Sequence, residues 1–218
     1  MAITVIPADW PAAAELASVV ETAVVRLDLA DRLVDCTLIG DAVMADDRAW
    51  FHLGESGGCW RLTLWFHPDQ VLRDMPDRGA HASARDWTLG PAPRSLPPIE
   101  VDDFSAPNAQ RFVYQQLQLA DDVMSGRIEP GTVPPSLVEA FQEAWLVTVD
   151  GRLQRQGLPH LSPGERRAIF LRRFGPAGIL TPRHWSIFNA LWSGDVATQV
   201  EVLARARLLP PLDRLRRP

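Results

Sequence analysis

Residues 107–124 read PNAQRFVYQQLQLADDVM, and the order of apolar and polar residues in this run decides how the surrounding chain is read. At helical spacing Ala109, Phe112, Val113, Leu117, Ala120, Val123 and Met124 fall on one side. Arg111, Tyr114, Gln115, Gln118, Asp121 and Asp122 fall on the other. Ser105 or Asn108 suits the start of such a helix and Gly126 its end. A solvent-facing helix side ordinarily carries long charged side chains, whereas this one carries a tyrosine and several amides. That composition suits a helix whose polar side lines a cleft.

Upstream, residues 3–6 read as a short strand or arm stopped by Pro7. From Ala12 to about Leu33, Leu16, Val19, Val20, Ala23, Leu27 and Ala30 recur at three and four, the mark of a helix with one core-facing stripe. Three strand candidates follow: Cys36–Met44, ending at Asp46-Asp47, then Trp50–Leu53, then Cys59–Phe66. Gly54-Glu55-Ser56-Gly57-Gly58 punctuates a hairpin between the last two, which predicts antiparallel neighbours. Within the last strand Trp60, Leu62, Leu64 and Phe66 share one face, and Arg61, Thr63 and Trp65 the other. A small antiparallel sheet is expected. Residues 68–106 lose periodicity and are rich in Pro, Asp and Arg. So long an irregular span is often a functional loop or a flexible one, and Ile99–Val101 within it suits a short edge strand.

Downstream of Gly126 the chain becomes helical. Leu137 to about Gln156 carries Leu137, Ala140, Phe141, Ala144, Trp145 and Val149 at helical spacing, with Gly151 as a candidate bend. Ser162-Pro163-Gly164-Glu165 has capping-box spacing and opens a helix to about Phe174. Thr181-Pro182 opens another through Trp192, and Asp195 suits the cap of a last one to Leu209. The fold class is α+β, with a mixed part over 1–126 and an all-helical part over 127–218.

Composition sets bounds on function. The chain has 218 residues, eight tryptophans and a hydrophobic share of 46%, ample for a core. A formal net charge of -5 argues against general nucleic-acid binding, which needs excess positive charge. All 22 basic residues are arginine, a bias that a GC-rich genome also produces. The N-terminus lacks the basic start and apolar run of a signal peptide, and no apolar stretch approaches the ~20 residues of a membrane span. A cytoplasmic location and no membrane partner are the expectation. Cys36 and Cys59 are too few for a disulfide framework and read as buried thiols.

The order helix, antiparallel strands, long amphipathic helix resembles the core of the minimal zincin metallopeptidases. In that family the last helix carries H-E-x-x-H, two zinc-binding histidines one turn apart with a glutamate general base between them. Here Tyr114 and Gln118 stand at the histidine positions and Gln115 at the glutamate. Glutamine offers only a neutral amide oxygen, tyrosine binds a metal well only when deprotonated, and Gln115 cannot act as a base. The resemblance covers roughly residues 10–125 in element order. It implies a zincin-like core that has lost its peptidase activity and binds no metal or other cofactor. It further implies a cleft kept for a protein or peptide partner, lined by Tyr114, Gln115 and Gln118, with Asp121 and Asp150. Asp150, by analogy with a third ligand after the catalytic helix, is the outlying member, and Arg152 its expected ion-pair partner.

Two other readings stand beside this one. An active metal-dependent hydrolase would draw on His52 and His67, on neighbouring strands of the hairpin, or on Asp121-Asp122 as a carboxylate pair; isolated histidines and a solvated helix face are the plainer accounts. A non-zincin adaptor or structural subunit would use its tryptophan-rich helices as an interface. The basic stripe Arg166, Arg167, Arg172, Arg173 and the tail Arg214, Arg216, Arg217 read as solvated.

Overall fold

The computed structural model describes residues 1–41, 49–72, 103–175, 180–194 and 198–210. Among them the chain is a mixed α+β protein with one four-stranded sheet and six α-helices. It divides into two compact units, Met1–Ala120 and Asp121–Pro218. The division falls inside the long helix, ahead of Gly126.

In the first unit strand β1 (Ala2–Ile6) leads through helix α1 (Ala13–Arg26) to β2 (Leu33–Gly40), and β1 and β2 pair in parallel. Strands β3 (Ala49–Ser56) and β4 (Cys59–Phe66) form the expected hairpin. Its two-residue turn has both glycines at positive φ, Gly57 at 63° and Gly58 at 80°, which suits the right-handed twist of the flanking strands. The strand order is β1-β2-β4-β3, and β4 runs parallel to β2. The sheet is therefore mixed, not antiparallel throughout. The expectation failed because residues 2–6 join as a full strand, and because α1 and the chain before β4 return each strand in the same direction. Helix α1 also stops earlier than its apolar stripe suggested: Asp28 takes a left-handed φ of 57°, which ends the helix before the β-branched run of β2.

Register explains the core. Val5, Leu38, Leu64 and Phe51 lie in one row across the sheet, and Cys36, Leu62 and Leu53 in the next. The central members, Cys36, Leu38, Leu62, Leu64 and Phe66, are buried. Helix α2 (Ala106–Met124) covers this face, its Phe112 ring 5.4 Å from Phe66, with Trp10 6.1 Å from Phe66 on another side. Each large side chain buried here contributes about 1.5–3 kcal/mol. The opposite face carries Thr4, Thr37, Thr63 and His52 in one row, and Ile6, Ile39, Trp65 and Trp50 in another. Trp50 and Trp65 stack across the hairpin, centroids 3.9 Å apart and planes 7° from parallel.

The second unit has helices and turns but no strand among its described residues. Helix α3 (Val138–Arg155) is its axis, and α4 (Pro163–Phe174), α5 (Pro182–Ser193) and α6 (Gln199–Ala206) pack on it. Gly151 does not split α3, which runs through it without a break. A Cβ at this position would lie 2.2 Å from the carbonyl oxygen of Trp192, so the glycine is there for the close approach of α5. Ser162 and Glu165 form the expected capping box on α4, and Thr198 with Glu201 caps α6. The expected turn Asp46-Asp47, the strand Ile99–Val101, the cap Asp195 and the tail arginines lie outside the described residues.

Candidate functional site

Helix α2 begins where Ser105 Oγ accepts from the Asn108 amide at 3.4 Å, and Gly126 follows its end at a φ of 71°. The Asn108 side chain donates to the Leu72 carbonyl at 2.6 Å and accepts from Arg111. Arg111 thus helps to order the helix start. Both sides of the helix are packed. Ala109, Phe112, Val113, Leu117 and Ala120 are buried, as the apolar stripe requires, but so are Tyr114, Gln116 and Gln118.

Tyr114 is 2% exposed and Gln118 5%, so these two expected cleft residues are interior side chains. The Arg26 guanidinium lies 6.0 Å from the centroid of the Tyr114 ring, a cation-π contact from α1. Gln115 and Asp121 keep partial exposure. Helical spacing keeps Tyr114 and Gln118 on one side, with Asp122 one turn further on. A zinc ion does not suit the first-unit part of this surface: it would meet a phenol and neutral amides, with a guanidinium already over the phenol ring.

Asp122 overturns the solvated-face account. It is fully buried, and four donor contacts converge on its carboxylate. Arg152 Nη1 donates to Oδ1 at 2.6 Å and Arg152 Nη2 to Oδ2, a bidentate fork. The Trp145 indole N–H donates to Oδ2 at 2.7 Å, and Arg127 Nη1 reaches Oδ1 at 3.3 Å. Burying a carboxylate without such partners is prohibitive, and this set supplies them. The same set leaves Asp122 poorly suited to base chemistry, because its lone pairs already face donors.

Asp150 is also fully buried, but its partner is not Arg152. Arg166 Nε donates to Oδ2 at 2.6 Å and the Leu161 amide to Oδ1 at 3.2 Å. Arg152, two residues along α3, points instead to Asp122. On a helix, residues two apart diverge widely, so a near neighbour in sequence was the wrong partner. The basic stripe on α4 is likewise mostly engaged. Arg166 is buried, Arg173 pairs with Glu143 at 3.0 Å, and Arg167 lies 5.4 Å from the Phe188 ring centroid.

The hairpin histidines do not converge. The register sets His52 opposite Thr63, and His67 lies beyond the last ladder pair, Ala49 with Phe66. His67 Nδ1 instead accepts from the Asp69 amide at 3.2 Å. Among the described residues no group of three His, Cys, Asp or Glu side chains is placed to hold a metal ion. No described helix is long and apolar enough to cross a membrane. Cys36 is a buried free thiol, and Cys59 a half-buried one. Burial first, and then the charge of Asp35, push the Cys36 thiol up to about 12.

The residues that sequence reasoning missed are Trp145, Arg152 and Arg166 as partners of buried aspartates. No local signal singles these aspartates out: Asp122 adjoins Asp121 on the polar side of α2, and Asp150 lies two residues from Arg152 on α3. Comparison of the chain with protein-family models, curated proteins and solved structures finds no match.

Proposed function

We propose that this chain is a catalytically inactive, zincin-like protein whose first unit binds a protein or peptide partner without cleaving it. The observation that carries the reading is the α2 window. Tyr114, Gln115 and Gln118 stand where H-E-x-x-H would supply two ligands and a base, which carries the inactive part of the reading; Tyr114 and Gln118 are buried, so of the expected cleft residues on this helix Gln115 and Asp121 are the ones left to meet a partner. Two further observations support it. An antiparallel strand, β3, edges an otherwise parallel sheet whose strands all precede the long helix in the chain. The buried carboxylates Asp122 and Asp150 are both consumed by arginine, which makes them architectural.

The rival hydrolase built on His52 and His67 loses its basis in the hairpin register. The adaptor reading leaned on tryptophans as an exposed interface. Trp145 is buried, and Trp185 and Trp192 pack against Phe170 and Phe188 within their own unit. A peptide array probed with the intact protein, followed by mass analysis of each spot, tests the proposal. Retained, uncleaved peptides are the expected result. Cleaved peptides, or no retention anywhere on the array, would overturn it.

A further inference from the structure

Strand β3 lies at the end of the sheet order, and among the described residues no strand pairs with its other side. The turn settles which of its backbone groups are open. In a two-residue hairpin the closing pair, here Ser56 and Cys59, is hydrogen-bonded, and bonded pairs then alternate along the ladder. Ser56, Gly54, His52 and Trp50 therefore spend their N–H and C=O on β4. Those of Ala49, Phe51, Leu53 and Glu55 point outward.

Sheet edges are ordinarily blunted by lysine, proline or a bulge. From Ala49 to Gly54 this one has no charge and no proline, and its ladder with β4 runs in unbroken register. The other edge, β1, is five residues long and stops at Pro7.

We infer that β3 is a homodimerisation edge, pairing antiparallel with β3 of a second copy about a two-fold axis at His52. The strand is complementary to itself in one register. Only when Phe51 faces the partner's Leu53 do all four outward residues find outward partners, Ala49 meeting the partner's Glu55. The same register has three side-chain consequences. Trp50 stands opposite the partner's Gly54, so an indole covers a bare glycine from either side. The half-buried Phe51 and Leu53 extend the apolar layer across the axis. Glu55 meets an alanine, so the seam sets no acidic residue against another. Seven residues, Ala49 to Glu55, at roughly 3.4 Å each make a seam about 24 Å long and one sheet thick, a few hundred Å² per partner against the ~800 Å² of a standard interface. The dimer is accordingly weak and concentration-dependent.

Sedimentation velocity of the full chain across a wide concentration range, paired with hydrogen exchange, tests this. Expected are a monomer–dimer equilibrium and amides of Phe51 and Leu53 that gain protection as dimer forms. His52→Asp sets two carboxylates face to face on the axis and raises the dimer dissociation constant about tenfold or more. Leu53→Pro removes an outward N–H while sparing the β4 ladder, and abolishes the dimer. Should the proline variant not fold, His52→Asp, at an exposed side chain, decides alone. A monomer at every concentration, a dimer indifferent to His52→Asp, or equal protection of both amides at all concentrations would overturn the inference.

Discussion

Arg152 closes its guanidinium fork on the fully buried carboxylate of Asp122, with Nη1 2.6 Å from Oδ1. The contact ties α3 to the residues that end α2, within the second unit. Removing Arg152 leaves the buried Asp122 carboxylate short of its main partner, so Arg152→Ala should cost about 3–5 kcal/mol, and Asp122→Ala, which leaves a partly exposed Arg152, less. Urea unfolding measures this through the midpoint at constant slope. A loss below 1 kcal/mol (on the order of an exposed pair) would mean the pair is solvated.

The second buried pair makes a sharper claim about partners. A double-mutant cycle on Asp150 and Arg166 should give a coupling of roughly 1–3 kcal/mol. The cycle on Asp150 and Arg152, neighbours in sequence, should give a clearly smaller one. Reversed magnitudes would assign the pairs as the sequence first suggested.

Gly151→Ala tests why a glycine stands in the middle of α3. Helix propensity alone would make alanine better by about 1 kcal/mol. The new Cβ, however, would sit 2.2 Å from the Trp192 carbonyl oxygen, which forces α5 away. We expect a net loss of about 1–3 kcal/mol in thermal or urea unfolding. A gain would show that α5 does not approach here.

Cys36 gives a prediction in pH. Its thiol is raised from 9.0 to about 12 in the folded chain, by burial first and Asp35 second. Above pH 9.0 the unfolded thiol ionises while the folded one stays protonated, so the unfolded state gains and stability falls as pH rises towards 12. The slope belonging to this group is roughly 1.4 kcal/mol per pH unit. Wild type and Cys36→Ala, unfolded in urea between pH 8 and pH 10.5 (roughly the span in which the free thiol titrates), should diverge in that sense. Parallel profiles would place the thiol at its ordinary value.

Much of the fold was legible from period and punctuation. The apolar stripe of α2, the alternation of Leu62, Leu64 and Phe66, the Gly57-Gly58 turn and the Ser162–Glu165 box are local signals, and local physics sets them. What was not legible is tertiary. Nothing within residues 2–6 says they pair in parallel with a strand some thirty residues later. Gly151 carries the same local signature whether it bends a helix or admits a neighbour. The polar side of α2 looked like a cleft lining because Tyr114 and Gln118 are amphipathic. Burial of both depends on what packs against them, Arg26 included. Asp122 looked like a surface charge because Arg152 comes from an element distant in sequence, and Asp150 was matched with Arg152, its near neighbour in sequence, because Arg166 lies on another helix.

The central claim, a zincin-like outline without its chemistry, rests on Tyr114, Gln115 and Gln118. Its most direct test is the zinc content of the intact protein, purified without chelator and dialysed against zinc-free buffer, measured by inductively coupled plasma mass spectrometry. The account predicts zinc far below one ion per chain, because a phenol and two amides do not hold it. Stoichiometric zinc that survives dialysis would contradict it.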